Sequence, residues 1–333
     1  MPAAALNSPH HAFGHSRPAR QRILACTALA IAALVLVGEI AARMAGFGDP
    51  PLVILDDKIE YYLAPAREYR RFDKLYRINS RSMRSDEIAD ASRLPVSTYA
   101  LLGDSVIYGA GLDQNATVAQ RLQKLLGGSP SSGEAKSGSP LVLSIAASSW
   151  GPENLLAFYD RFGPTLGNTA WIVQSTHDMI DVINEPRAPV PYRTSSPYGA
   201  LHDALLAGGR WTALRIFPAT PEMMSHEEQR ARADAALASL IARLRTDYLR
   251  VVLVFHATKD EVLLHRPGGE PYFSEVAARS RINFISTRQT YLNAFLLGTA
   301  ITYDEIHPNE MGAAILAGLL HSSLTSPNAK SAP

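Results

Sequence analysis

Cysteine is nearly missing from this chain: Cys26 is the single one in 333 residues. One thiol cannot form an intrachain disulfide, and no Cys/His set has the spacing of a zinc site. The run Ile23-Leu24-Ala25-Cys26 faintly resembles a lipoprotein acceptor box. The apolar stretch starts there instead of ending there, so lipidation of Cys26 is not expected. Lysine is also scarce, with 6 against 26 arginines. The net charge is only +1, and the arginines are scattered, so there is no electrostatic footprint for a nucleic acid. Internal repeats are absent, and so is any strongly apolar lid segment of the kind a lipase would need.

What the sequence does have is one long uncharged run. Residues 23–38 carry no charge, and the apolar character continues to Ala42 around Glu39. About 20 helical residues cross ~30 Å of hydrocarbon. Arg17, Arg20 and Arg22 precede the run, which places the N-terminus in the cytoplasm by the positive-inside tendency. The chain is then expected to be a single-pass protein of a bacterial inner membrane, with the residues after the run in the periplasm. A cleaved signal peptide is the rival reading, but the run is long for one and no clean small-x-small site follows it. The expected organisation is a cytoplasmic tail (1–22), an anchor (23–42), a connector rich in Pro, Arg and Tyr (43–95), a main domain (96–327) and a short tail (328–333).

From Val96 onward apolar runs alternate with amphipathic stretches. Strands are expected over 96–102, 141–147, 170–174, 250–255 and 281–285. Helices are expected over 117–126, 153–162, 225–245 and 309–324, the third opened by Ser225 and Glu228 as a capping box. Residues 127–140 read as a Gly/Ser/Pro loop. Residues 184–224, with six prolines, read as irregular and long enough to form a lid or binding element. Strands alternating with helices predict an α/β fold, a three-layer α/β/α arrangement around a mostly parallel sheet.

Two short motifs carry chemistry. In Gly103-Asp104-Ser105 a strand runs into a tight turn that presents a serine at its carboxyl end, the edge where open parallel sheets bind ligands. A serine hydroxyl is a weak nucleophile until a base takes its proton. Asp304-Glu305-Ile306-His307-Pro308 supplies the candidates for the rest. His307 is the candidate base, and Asp304, three residues earlier, can reach the ring and orient it. His256, at the end of a strand, reads as a satisfied histidine near the rim. Tyr61, Tyr62, Arg81 and Arg84 could line a sugar-binding surface, but packing is favoured for them.

Taken together, Leu-Leu-Gly-Asp-Ser-Val-Ile-Tyr-Gly-Ala-Gly-Leu at 101–112 and the block at 304–312 resemble the first and last blocks of the SGNH/GDSL hydrolase superfamily. Residues 143–154 sit where its second block belongs. The resemblance covers roughly residues 96–325. It implies a flavodoxin-like sheet, a catalytic triad of Ser105, His307 and Asp304, and no metal or organic cofactor. It also implies an oxyanion hole built from Ser105, Ser149 and His177. Two of those positions depart from the family pattern. Ser149 stands where a glycine is usual, and His177 stands where an asparagine is usual. The chain further resembles membrane-anchored members linked to bacterial exopolysaccharides of the alginate or cellulose type. The implied function is an esterase or deacylase acting on O-acyl, chiefly O-acetyl, groups of an extracytoplasmic polysaccharide. Two alternatives stay open: a polysaccharide O-acyltransferase using the same residues, and a non-catalytic glycan-binding accessory. The implied partners are an acylated glycan, the inner membrane and a membrane acyltransferase or synthase complex, with no nucleic acid.

Overall fold

Helix α1 (Arg17–Met44) opens the structure, a computed structural model that describes residues 17–88, 97–127, 139–163, 167–183, 193–216 and 224–325. Alanine and leucine dominate α1, and no proline interrupts it after Pro18. Within its stretch Ala19–Met44 an 18-residue window has a mean hydropathy of 2.4, and none of that window is buried. A helix that is apolar all round needs an apolar surround, and by length and composition this one can cross a membrane.

The connector folds as two antiparallel hairpins. Strands β1 (Val53–Asp56) and β2 (Glu60–Leu63) form the first, and β3 (Arg67–Arg71) and β4 (Lys74–Ile78) the second. The Asp56 carboxylate closes the first turn by accepting from the backbone N–H groups of Lys58 and Ile59. The second turn places Phe72 and Asp73 at positive φ, the conformation that matches a two-residue hairpin loop to strand twist. Tyr61, Tyr69, Tyr76 and Ile78 turn inward and join the main apolar core.

Five parallel strands make the central sheet: β5 (Thr98–Gly103), β6 (Leu141–Ala146), β7 (Gly167–Gln174), β8 (Tyr248–Phe255) and β9 (Asn283–Ser286). Their spatial order is β6-β5-β7-β8-β9. Burial on both faces explains why β5, β6 and β8 read as continuous apolar runs instead of alternating ones. The chain leaves β5 toward one edge of the sheet and then crosses to β7 on the other side. That reversal makes the crevice between the ends of β5 and β7 the natural ligand site.

The helices in chain order are α2 (Ser105–Tyr108), α3 (Val118–Leu125), α4 (Pro152–Phe162), α5 (Ala200–Ile216), α6 (His226–Asp247), α7 (Lys259–Leu263), α8 (Glu270–Ser280), α9 (Arg288–Leu296) and α10 (Glu310–Thr325). Ser225 caps α6 as its sequence indicates, accepting from the Glu228 N–H. The expectation of irregular chain over 184–224 fails at 200–216, while 184–192 and 217–223 fall outside the described residues. Proline density suggested irregular chain, yet 200–216 is a helix. It lies between Pro197 and Pro218 and contains no proline. Residues 128–138, most of the expected Gly/Ser/Pro loop, fall outside the described residues.

Arg84 joins the connector to the sheet. It is fully buried. Its guanidinium donates to the carbonyls of Tyr108, Gly109, Leu75 and Leu112 at 2.7–3.0 Å and to the Gln114 side chain at 3.2 Å. It also lies over the Tyr76 ring. These bonds fix the loop that follows Ser105. Removing the donor would strand several buried carbonyls, each costing about 1–3 kcal/mol. Arg84→Ala is therefore expected to lower unfolding free energy by roughly 3 kcal/mol or more, read by urea denaturation. Arg81→Ala, at a partly exposed position, is expected to change it little.

Candidate active site

The turn after β5 is built around a buried carboxylate. Asp104 accepts from the backbone N–H of Val106 at 2.9 Å and so caps the short helix α2. Gly103 allows the close approach: a Cβ there would lie 2.8 Å from Ile107 and 3.1 Å from the Val173 carbonyl. Ser105 is left at the start of α2, half-buried, facing the crevice.

His307 meets it from the other side. The Ser105 hydroxyl lies 2.9 Å from His307 Nε2, and Asp304 Oδ2 lies 2.8 Å from His307 Nδ1. The carboxylate can only accept, so it assigns the proton to Nδ1 and leaves Nε2 free to accept from the serine. Asp304 Oδ1 also accepts from the backbone N–H groups of Ile306 and His307 at 3.0 and 2.8 Å. One side chain thus shapes the loop and orients the ring. Burial would raise the Asp304 pKa, but the hydrogen bonds from His307 and Ile306 outweigh it and hold the carboxyl at about 2.

His256 supports that loop from beneath. It is completely buried, not at the rim. Burial lowers its pKa, so the ring is neutral. Its Nε2–H donates to the Ile306 carbonyl at 2.9 Å, and Nδ1 accepts from the Tyr291 hydroxyl at 3.2 Å. His256 therefore positions the residue next to His307 and does not face the crevice.

His177 follows β7 and lines the same open pocket of about 460 Å³ as Ser105, Ser149 and His307. Its Nε2 lies 3.0 Å from Asp104 Oδ2 and 3.3 Å from Asp178 Oδ1. Both are acceptors, so Nε2 carries the proton. Burial would lower the ring's pKa, but Asp178, Asp104 and Asp181 outweigh it and raise it to about 9. The ring is therefore an imidazolium at neutral pH, with a second N–H at Nδ1. Two neighbouring acids are raised as well. Burial and the Asp104 charge push Asp178 well above the usual range, and burial is also the main cause that raises Asp181 to about 7. Among the described residues, Asp104, His177 and Asp178 are the group whose possible metal-ligand atoms come within 4.8 Å of one another. Asp104 already accepts from the ring N–H, and Asp178 Oδ1 lies 3.3 Å from the same nitrogen.

Ser149 sits at φ 57°, the left-handed region that favours glycine. Its loop is clamped by the connector. The Tyr61 hydroxyl donates to the Ser148 carbonyl, Trp150 Nε1 donates to the Tyr61 carbonyl at 3.1 Å, and Asn154 Nδ2 donates to the Ile59 carbonyl at 2.8 Å. Tyr61, Tyr62 and Arg84 are thus packing residues, and Tyr61 fixes the loop that carries Ser149. Sequence reasoning gave Tyr61, Asp104, Asp181 and His256 no role in the site. Tyr61, Asp104 and His256 act through contacts between distant segments, which periodicity and spacing do not report.

No protein-family profile matches the chain, and no curated protein matches it. Among solved structures, a member of the lipolytic G-D-S-L family from Veillonella parvula is similar, at 12% identity and TM-score 0.43, covering 69% of this chain and 99% of that one. An acetylxylan esterase from Geobacillus stearothermophilus is similar at 13% identity and TM-score 0.44, covering 72% and 98%. The reading of the site rests on its own geometry.

Two outcomes follow from that geometry. Ser149→Gly keeps the backbone N–H and removes a left-handed Cβ, so it is expected to add about 1 kcal/mol of stability in thermal or urea unfolding. His177 should titrate near pH 9 by NMR of its ring protons, and Asp178→Asn should move the midpoint down. Its raised pKa means that the stability it contributes is complete below the ordinary histidine range and is lost as pH rises through about 9. The raised Asp181 acts with the same sign, its contribution disappearing as pH rises from the ordinary carboxylate range through about 7. The melting temperature should therefore fall between pH 6 and pH 9.5, and fall less in Asp178→Asn.

Proposed function

We propose that this protein is a serine esterase of the SGNH/GDSL type that removes short O-acyl groups, chiefly acetyl, from an extracytoplasmic polysaccharide. The observation that carries this reading is the relay from Ser105 Oγ through His307 to Asp304, at 2.9 and 2.8 Å, opening on a pocket. In this mechanism the Ser105 hydroxyl gives its proton to His307 Nε2 as Oγ attacks the acyl carbonyl carbon. Asp304 stabilises the imidazolium that forms. The tetrahedral oxyanion is met by the backbone N–H groups of Ser105 and Ser149 and by the Nδ1–H of protonated His177, a charged donor in place of a neutral amide. Collapse breaks the C–O bond to the sugar, whose oxygen takes the proton from His307. Water, activated by the same base, then releases the acyl group from Ser105.

Pocket chemistry supports a short acyl group. Of the side chains around Ser105, Ala110 and Ile306 are the apolar ones, while Ser148, Ser149, His177 and Asp181 are polar. A long acyl chain would need apolar walls to leave water. The α1 anchor supports an extracytoplasmic location on the face of an inner membrane, and the exopolysaccharide link rests on the family resemblance. Transfer would use the same acyl-enzyme, with a sugar hydroxyl in place of water and a membrane acyltransferase or synthase complex supplying the donor.

The full-length protein in detergent should take up a serine-directed phosphonate at Ser105 and hydrolyse p-nitrophenyl acetate. Ser105→Ala and His307→Ala should lower turnover by about 10³-fold or more and abolish labelling. Equal, background-level turnover in wild type and Ser105→Ala would overturn the enzyme reading in favour of a glycan-binding accessory. An added oligosaccharide that captures the acetyl group faster than water does would make the protein a transferase.

A further inference from the structure

Helix α5 is out of place in a soluble α/β domain. Among the described elements it packs on α1 and makes no comparable contact with the sheet or with another helix. Among the described side chains, neither α1 nor α5 contributes a residue to the apolar core. Leu205 is 65% exposed and Leu206 43%. Among the described residues these leucines lack a full cover.

The start of α5 is pinned to the anchor. The Glu39 carboxylate accepts from the backbone N–H groups of Ala200 and Leu201 at 3.0 and 2.8 Å. It thereby satisfies donors that a helix N-terminus leaves open and places a negative charge where the helix dipole favours one. Arg43 meets the same carboxylate at 2.8 Å. Leu201 covers Gly38, where an added Cβ would lie 3.2 Å from its side chain. Two residues on, the buried Asp203 pairs with Arg71 of the connector at 2.5 Å and with Arg193, just before α5, at 2.8 Å.

Depth follows from spacing. If residues 23–42 fill the hydrocarbon, Glu39 lies about 4.5 Å inside its boundary at 1.5 Å per residue. The first turn of α5 then sits at that boundary, with acidic contacts toward the connector and leucines outward. That division suits a helix lying in the interface of a bilayer.

We propose that α5 is a second membrane-associated helix, lying against α1 at the bilayer boundary on the side of the catalytic domain, with lipid covering Leu205 and Leu206. This rests on α1 being a membrane anchor. The test uses the full chain with Cys26→Ala in vesicles of phosphatidylcholine and phosphatidylglycerol. A nitroxide is attached in turn at Leu34→Cys in α1, at Leu205→Cys and Leu206→Cys in α5, and at Leu249→Cys, which is 89% exposed at the start of β8. Relaxation by oxygen marks lipid, and relaxation by a water-soluble nickel chelate marks solvent. Labels at 34, 205 and 206 should each show an oxygen-to-nickel ratio several-fold above that at 249. A solvent reading at 34 would overturn the anchor itself. A lipid reading at 34 with solvent at both 205 and 206 would overturn the α5 proposal alone. Shielding of 205 and 206 from both reagents would also overturn it, and would assign the leucines to contact with a second copy.

Discussion

The Asp104 carboxylate is the group on which the site depends. It is a charge almost fully withdrawn from water, and such a charge persists only when it is hydrogen-bonded and paired. The Val106 N–H and the His177 ring meet those needs. In doing so they fix the turn that presents Ser105 and pull the element after β7 against the end of β5. The crevice between two strand ends is thereby held at a set width. The same attraction, with Asp178 and Asp181 beside it, raises the His177 pKa. A structural constraint and an electrostatic one come from a single buried oxygen pair.

The extent to which the fold was legible follows from what each segment packs against. β5, β6 and β8 are buried on both faces, so their apolar runs stood out. Ser225 and Glu228 marked the start of α6, because capping is local chemistry. The helix α5 was hidden because its partner is α1, more than 150 residues earlier, and because prolines flank it on both sides. Residues Ser105, Asp304 and His307 were readable as candidates from strand ends and a three-residue spacing, and the structure places them within hydrogen-bond reach. Tyr61 and His256 were not, since a tyrosine in a connector and a histidine after a strand have many uses. Only the meeting of Tyr61 with Ser148, or of His256 with Ile306, selects one.

Ser149 and His177 were noticed as departures, and the two resolve differently. Ser149 keeps a glycine's backbone conformation with a side chain attached, so the change is one of strain. His177 brings a ring whose charge state is set by three acids around it, so the change is one of electrostatics.

The clamp between Tyr61 and the loop at Ser148 has a consequence for how the chain divides. By sequence the α/β unit begins near Val96 and carries every residue with chemical capacity. A chain trimmed to that unit would keep Ser105, His307 and Asp304, yet it would release Trp150, Asn154 and Ser148 from the strand that holds them. The boundary that the composition marks at 95 therefore falls inside the working unit. A piece that keeps these contacts must start upstream of β1, where the connector leaves the anchor helix.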